Sequence, residues 1–348
     1  MAKELTNLHF VRAVLIILIV LYHSALFWTG SWYQFHTNQH SQFLSWGALW
    51  LNSFHIYCFV FVSGYLFYYL KKENKKYNDF MIFTKDKAYR LLIPYVFVSL
   101  CWNIPFAIYF KVPFNTLFRA YILGVSPEQL WFLLMLFGVF ILFYFLEGKL
   151  GSRGNNKFSM FLSTSCFFLF FFGISGWFFV PNYFQVWNTC MFIFFFYMGY
   201  SAREGKIYKY LKTDNIHLTG YFIIHLFLFI LINSLSISNP YLLKFFQLTI
   251  GYICHILGAF VIFHFLAKLS VVFDKWNKFF QLISINSLGI YLFHQQLVHL
   301  CLYFTVNRFN PYIITSICFI FSFSISLLIT MILSNTSCTR WLIGVKSK

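Results

Sequence analysis

The sequence is short of charge. Only 10% of its 348 residues are Asp, Glu, Lys or Arg, and nine of them are acidic. A chain with so few charges cannot cover a soluble surface, so no soluble domain fits anywhere along it. It also lacks internal repeats, heptad runs and low-complexity linkers, which leaves a single helical domain over residues 1–348 with no appended soluble part. The eight cysteines (Cys58, Cys101, Cys166, Cys190, Cys254, Cys301, Cys318 and Cys338) are scattered, with no C-x-x-C pair and no His/Cys ligand spacing. They read as apolar packing residues, with no metal site and no disulfide framework indicated.

What the chain has in abundance is apolar surface: 60% hydrophobic residues, 51 of them Phe. Apolar runs long enough to cross the ~30 Å hydrocarbon core as helices recur throughout. They predict an all-α, polytopic membrane protein of about ten spans, roughly 8–28, 46–70, 90–110, 129–147, 158–180, 184–202, 216–237, 245–267, 283–306 and 311–334. The first span lacks a small-residue cleavage site and reads as a retained helix.

Orientation follows from the short loops, because basic residues beside a span stay on the cytoplasmic side. One set holds Lys71, Lys72, Lys75, Lys76, Lys85, Lys87 and Arg90, then Lys149, Arg153 and Lys157, then Arg203, Lys206, Lys209 and Lys212, then Lys268, Lys275 and Lys278. The tails, with Lys3, Arg340, Lys346 and Lys348, fall on the same side, so both termini are expected to be cytoplasmic. The opposite loops hold only Lys111, Arg119, Lys244 and Arg308. The net charge of +17 is then mostly an insertion signal, aided by attraction to anionic membrane lipid, and does not suggest nucleic acid.

Eight of the nine acids (Glu4, Glu73, Asp79, Asp86, Glu147, Glu204, Asp214 and Asp274) lie in or beside the cytoplasmic segments. Only Glu128 faces the other way, in "SPEQLWFLLML", where Ser126 and Pro127 mark the entry of the fourth span. It is either a first-turn carboxylate favoured by the helix dipole or a functional group. Histidines within spans are functional candidates by depth, and His23, His55, His225, His255 and His294 qualify.

Spacing singles out Arg12 and His23 in "FVRAVLIILIVLYHSALFW". Eleven residues are three helical turns plus about 20°, so both side chains share one face with about 16 Å of rise between them. Arginine donates two parallel hydrogen bonds to a phosphate or carboxylate and stays charged when desolvated. Histidine suits proton transfer near neutrality. Together they describe a corridor with an anion-holding cytoplasmic end and an acid–base end past the midplane. Lys85, Lys87 and Arg90 beside the mouth of the third span add a candidate phosphate site.

At this point the residues resemble a known family. Arg12, ten intervening residues and His23, in "RAVLIILIVLYH", look like the first-helix signature of the acyltransferase-3 family of bacterial integral membrane acyltransferases. "FVFVSGYLF", "KAYRLLIPY", "QLWFL" and "SLGIYLFH" resemble four further family motifs in the family's order. Lys87 stands where arginine is common, which loses the bidentate fork, and Gln295 stands where proline is frequent.

The resemblance implies transfer of an acyl group, usually acetyl, from cytoplasmic acyl-CoA to a hydroxyl of a cell-surface polysaccharide or lipid-linked glycan. The setting it implies is the bacterial cytoplasmic membrane, alongside envelope-biosynthesis partner proteins. Arg12 and His23 carry over as the signature pair, and Lys87 and Arg90 as the pair near the CoA phosphates. The pantetheine arm of CoA is about as long as the Arg12 to His23 rise, so the thioester would reach His23, acting as general base on the acceptor hydroxyl. Glu128 would orient that imidazole or bind the sugar, and Ser63 would bond the carbonyl oxygen or take the acyl group transiently. His55, Trp131 and His294 are candidates for substrate binding. The outer loop "WTGSWYQFHTNQHSQF", with Trp28, Trp32, Tyr33 and Phe35, is either an interfacial aromatic belt or a sugar-stacking surface.

A transporter or flippase for a glycan or anionic solute is the alternative, since intramembrane histidines and an arginine also line ion paths. Against it stands the absence of inverted repeats and paired midplane helix breaks. A sensor or assembly subunit without chemistry would leave the ordered motifs unexplained.

Overall fold

A computed structural model describes residues 2–32, 35–150 and 156–345. Of the residues named above, Tyr33, Arg153, Lys346 and Lys348 lie outside the described residues, as do the side chains of Lys3, Glu4, Lys149, Lys157 and Lys209. The described residues contain helices and turns but no strand. The helices are α1 (Ala2–Leu26), α2 (Gln42–Asn52), α3 (His55–Tyr68), α4 (Phe80–Val98), α5 (Ile104–Tyr109), α6 (Phe114–Leu117), α7 (Trp131–Leu150), α8 (Asn156–Phe179), α9 (Val186–Glu204), α10 (Asn215–Ser234), α11 (Pro240–Val272), α12 (Asn277–Thr305) and α13 (Pro311–Asn335).

Among the described residues, seven helical stretches are long and apolar enough to cross a membrane: Leu8–Thr29, Gln42–Glu73, Phe80–Tyr109, Glu128–Glu147, Asn215–Ser234, Leu242–Val272 and Pro311–Asn335. The chain is an all-helical, multi-pass membrane protein. The other three expected spans also coincide with helices, α8, α9 and α12. In α8 the continuous run of described side chains, Thr164–Gly176, is apolar. Charge and polarity account for the other two, since α9 ends on Arg203 and Glu204 while α12 carries Ser284, Asn286, Ser287, His294, Gln295 and Gln296.

The second expected span is divided into α2 and α3 at Ser53 and Phe54. Ser53 ends α2, with its hydroxyl donating to the Trp50 carbonyl at 2.6 Å. Its own carbonyl accepts from His255 Nδ1 at 2.7 Å. An imidazole inserted on a helical carbonyl interrupts the ladder and re-aims the chain.

Helix starts follow their sequence signals. Asp79 accepts from Ile82 N at 2.8 Å, Asn239 from Leu242 N at 3.1 Å and Asn310 from Ile313 N at 3.0 Å, each satisfying an amide that the first turn leaves open. Replacing Asp79 with alanine should lower stability by about 1 kcal/mol, read by thermal unfolding of the detergent-solubilised protein. Asp214 caps α10 through His217 N and also bonds the His217 ring, and these contacts hold its carboxyl down to about 2. A depressed carboxyl contributes its stabilisation above the ordinary carboxylate range and loses it as the pH falls toward 2.

The chain divides into two compact units. One comprises 1–63, 201–287 and 297–324; the other comprises 64–200, 288–296 and 325–348. In the first, α1 packs on α2 and α11, and α10 on α11. Phe27 and Trp32 join Val298, Cys301, Leu302, Ile314 and Cys318 in one buried cluster, so Trp32 is a packing residue in addition to any role at the surface.

In the second unit α4 packs on α7. Part of the chain's phenylalanine is spent on an aromatic core there: Phe67, Phe83, Phe140, Phe143, Tyr144 and Phe196 meet at ring-centroid distances such as 4.8 Å for Phe143–Phe196 and 5.5 Å for Phe67–Phe196. At one edge the buried carboxylate of Glu147 is clamped by Lys71, at 2.5 Å, and by Lys72. Lys71 also lies 3.5 Å from the Tyr144 ring centroid. A turn at Arg340–Ile343 docks on α4, with Tyr89 donating to the Val345 carbonyl at 3.2 Å.

Candidate active site

In the first unit, α1 is one unbroken helix from Ala2 to Leu26, so the face shared by Arg12 and His23 exists as expected. Both side chains are half-buried. Arg12 Nη2 donates to the Ser284 carbonyl at 3.2 Å and to the Ser287 hydroxyl at 3.0 Å. Ser287 opens the "SLGIYLFH" motif, which gives that motif's serine a use the sequence leaves unstated. His9 joins the same cluster, its Nδ1 3.0 Å from Ser284 Oγ. At Nη2 the guanidinium therefore meets two neutral oxygens that orient it.

His23 sits in the last turn of α1, its Nδ1 3.0 Å from the Ile19 carbonyl. A carbonyl only accepts, so the proton is on Nδ1, and in the neutral ring Nε2 carries the basic lone pair. Tyr22 links its ring to a second imidazole, lying 4.7 Å from His23 and 4.7 Å from His55. His55 is buried and bonds the Leu51 carbonyl through Nδ1 at 2.6 Å. Ser63 donates its single O–H to the Phe59 carbonyl at 2.9 Å, which leaves its lone pairs to accept.

The remaining imidazoles of this unit do structural work. His225 is fully buried, between the Cys254 carbonyl at 3.0 Å and the Ser53 hydroxyl at 3.4 Å. His255 stacks on Tyr57 at 4.1 Å while it holds the helix break. Depth in the sequence leaves out two buried histidines. His264 lies 3.2 Å from the Tyr208 hydroxyl, and His299 meets Trp32 edge-on at 4.4 Å. Their positions inside the expected spans 245–267 and 283–306 are the signal that points to them.

In the second unit, α4 carries the basic stretch. Lys85 and Arg90 are exposed, whereas Lys87 is buried. The Lys87 ammonium lies 4.2 Å from the Phe140 ring centroid, 5.0 Å from Tyr77 and 5.5 Å from Phe83. Ring faces attract a desolvated cation, so this lysine is sheathed where its two neighbours are open. Asp86 is bonded by the Tyr77 hydroxyl at 2.7 Å.

The same unit holds Glu128 at the head of the turn Glu128–Leu130 that leads into α7. Its backbone is left-handed, φ +47°, an uncommon state for a residue with a side chain and one that concentrates at functional sites. The Glu128 carboxyl accepts from Gln296 Nε2. Behind it, Gln129 bonds Gln296 and the Leu292 carbonyl, and the Tyr291 hydroxyl donates to the Gln129 carbonyl. Asn103 ends a wide π-helical turn, Ser99–Asn103, which aims its buried amide at Gln129 at 3.4 Å. Sequence ranking passes over Asn103, Gln129 and Gln296. The available signal is the run of amides beside a motif histidine, "HQQ", and at the head of "QLWFL".

Trp131 starts α7 with its ring 5.7 Å from Phe192. His294 is fully buried and bonds its own turn, Nδ1 to the Tyr291 carbonyl at 2.8 Å. Among the described residues no group of three or more His, Cys, Asp or Glu is arranged to hold a metal ion.

A family model described as an acyltransferase domain matches residues 5–334. No curated protein and no solved structure matches the chain. The matched segment contains every motif quoted above together with Arg12, His23 and Glu128, so the resemblance read from five short motifs extends over nearly the whole chain. The chain belongs to the acyltransferase-3 family and is a membrane acyltransferase.

Proposed function

We propose that this acyltransferase moves an acyl group, most simply acetyl, from cytoplasmic acyl-CoA to a hydroxyl of a cell-surface or lipid-linked polysaccharide, with His23 as general base. The observation that carries the reading is α1 itself: one continuous helix that presents an oriented guanidinium at Arg12 and a basic imidazole nitrogen at His23 on the same face. The setting is a bacterial cytoplasmic membrane, crossed about ten times by a single transmembrane domain with both termini inside.

The residues suit a donor that carries phosphates at one end. Arg12 is a guanidinium and stays charged when desolvated, and Lys85 and Arg90 are exposed on α4. The family resemblance adds Lys87 to the residues expected near the phosphates. The donor supplies a thioester, an acyl carbon activated toward an oxygen nucleophile. His23 Nε2 takes the proton of the acceptor hydroxyl as the new C–O bond forms, and returns it to the sulfur as the C–S bond breaks. The ester and a free thiol are the products, so no net proton is consumed. The Nδ1 bond to the Ile19 carbonyl holds the ring in the required tautomer throughout. Glu128 is the polar group assigned to the sugar, and Ser63 would serve the acyl carbonyl by turning its one O–H away from the Phe59 carbonyl.

Purified protein in proteoliposomes, given radiolabelled acetyl-CoA and an extracted envelope glycan, tests this directly. Label should appear on the glycan with the intact chain and vanish with Arg12→Ala and with His23→Ala. Translocation of the glycan without labelling would overturn the proposal in favour of a flippase.

A further inference from the structure

The amides behind Glu128 form a network whose polarity is fixed by a single backbone group. A carbonyl oxygen only accepts, so the Gln129 atom 2.9 Å from the Leu292 oxygen is the amide nitrogen. The second hydrogen of that nitrogen goes to Gln296 Oε1 at 2.7 Å. This places the oxygen of Gln296 toward Gln129 and leaves its nitrogen two hydrogens to give. One returns to Gln129 Oε1 at 3.2 Å, closing a reciprocal amide pair, and the other goes to Glu128 Oε2. All four amide hydrogens have receivers. Asn103 Nδ2 donates to Gln129 Oε1 at 3.4 Å, and the Tyr291 hydroxyl holds the Gln129 backbone.

The consequence is directional. Glu128 is met by a donor that cannot be turned into an acceptor without breaking the bond to Leu292, so its carboxyl is held as an acceptor. A carboxylate has about four lone-pair sites, and the bond from Gln296 leaves capacity for further donors. Of the two substrates proposed above, the acyl-CoA is dominated at its ends by acceptors, the phosphates and the thioester carbonyl, and donates only from its pantetheine amides, its pantoate and ribose hydroxyls and its adenine amine. The glycan presents hydroxyls, which are donors. Left-handed backbone at Glu128 then has a use, since it aims the carboxyl into this network.

We infer that Gln129 and Gln296 are positioning residues that hold Glu128 as a hydrogen-bond acceptor for the hydroxyls of the glycan, with the Leu292 carbonyl as the origin of their polarity. The inference rests on the acyl-transfer reading for the identity of the hydroxyl substrate, and on the geometry alone for the relay.

Gln296→Glu tests it, because the change is nearly isosteric and replaces the donor with an acceptor facing another carboxyl. Measured on purified full-length protein in nanodiscs, it should lower kcat/KM for the glycan by about tenfold or more and leave the donor KM within about twofold. It should also lower the unfolding temperature. The double variant Glu128→Gln/Gln296→Glu restores a donor opposite an acceptor. It should regain most of the lost unfolding temperature without regaining kcat/KM for the glycan, because the carboxyl now stands at the wrong position. Donor and glycan parameters falling together, neither changing, or a double variant with restored transfer would each overturn the inference. If the unaltered protein acylates no glycan, the functional reading fails, and the relay is judged on unfolding, where a double variant no more stable than the single one overturns it.

Discussion

Alanine at His23 should lower kcat by about 10²- to 10⁴-fold, the contribution expected of a positioned acid–base group, with the donor KM unchanged within about twofold. The ring is half-buried and bonds the Ile19 carbonyl of its own turn through Nδ1, so the substitution is expected to leave the unfolding temperature close to that of the parent. His23→Gln sharpens the result. A glutamine amide can still donate to the Ile19 carbonyl, yet it has no basic nitrogen to take a proton. It should therefore be as inactive as alanine while folding as the parent does. A His23→Gln protein retaining more than about a tenth of parental turnover would remove His23 as the base.

The second large effect concerns the glycine of "FVFVSGYLF". In the second unit, Gly64 on α3 lies against the backbone of α9, where a Cβ would collide with the Phe196 carbonyl oxygen and stand 2.8 Å from its carbon. Backbone cannot swing aside as a flexible side chain can, so Gly64→Ala must push the helices apart through the core of Phe67, Phe143 and Phe196. Overpacking of this kind typically costs about 1–3 kcal/mol, and a collision with backbone belongs at or above the top of that range. The expected outcome is a sharply lower unfolding temperature and little protein recovered from the membrane. Gly47→Ala is the matched control, because a Cβ there meets nothing within 4 Å, and it should change stability by less than about 0.5 kcal/mol. Equal behaviour of the two variants would contradict the packing described for α3.

The shared face of Arg12 and His23 is legible in the sequence because helical period is a local property, and α1 is a helix without a break. Capping by Asp79 is legible for the same reason. The break between α2 and α3 is not, since it depends on a histidine 202 positions away taking the Ser53 carbonyl. The Gln129–Gln296 pair, 167 positions apart, is equally out of reach of any local rule. Lys87 shows a third kind of difference. As a letter in "KDKAYR" it is the equal of Lys85, but rings enclose it: Phe83 one turn earlier on α4, Tyr77 just before that helix, and Phe140 from α7, which no local rule supplies. Glu128 is half legible: its place at the head of the fourth span follows from Ser126 and Pro127, while its left-handed backbone and its amide partner do not.

The central claim is a division of labour along α1, with Arg12 holding the anionic donor and His23 moving the proton. Equilibrium binding of CoA to the parent, Arg12→Ala and His23→Ala proteins separates the two roles. Loss of a charge-assisted contact to phosphate should weaken binding to Arg12→Ala by about tenfold or more, while His23→Ala should bind CoA within about twofold of the parent and fail only in transfer. Equal binding to all three proteins, or weakened binding in His23→Ala alone, would contradict the account.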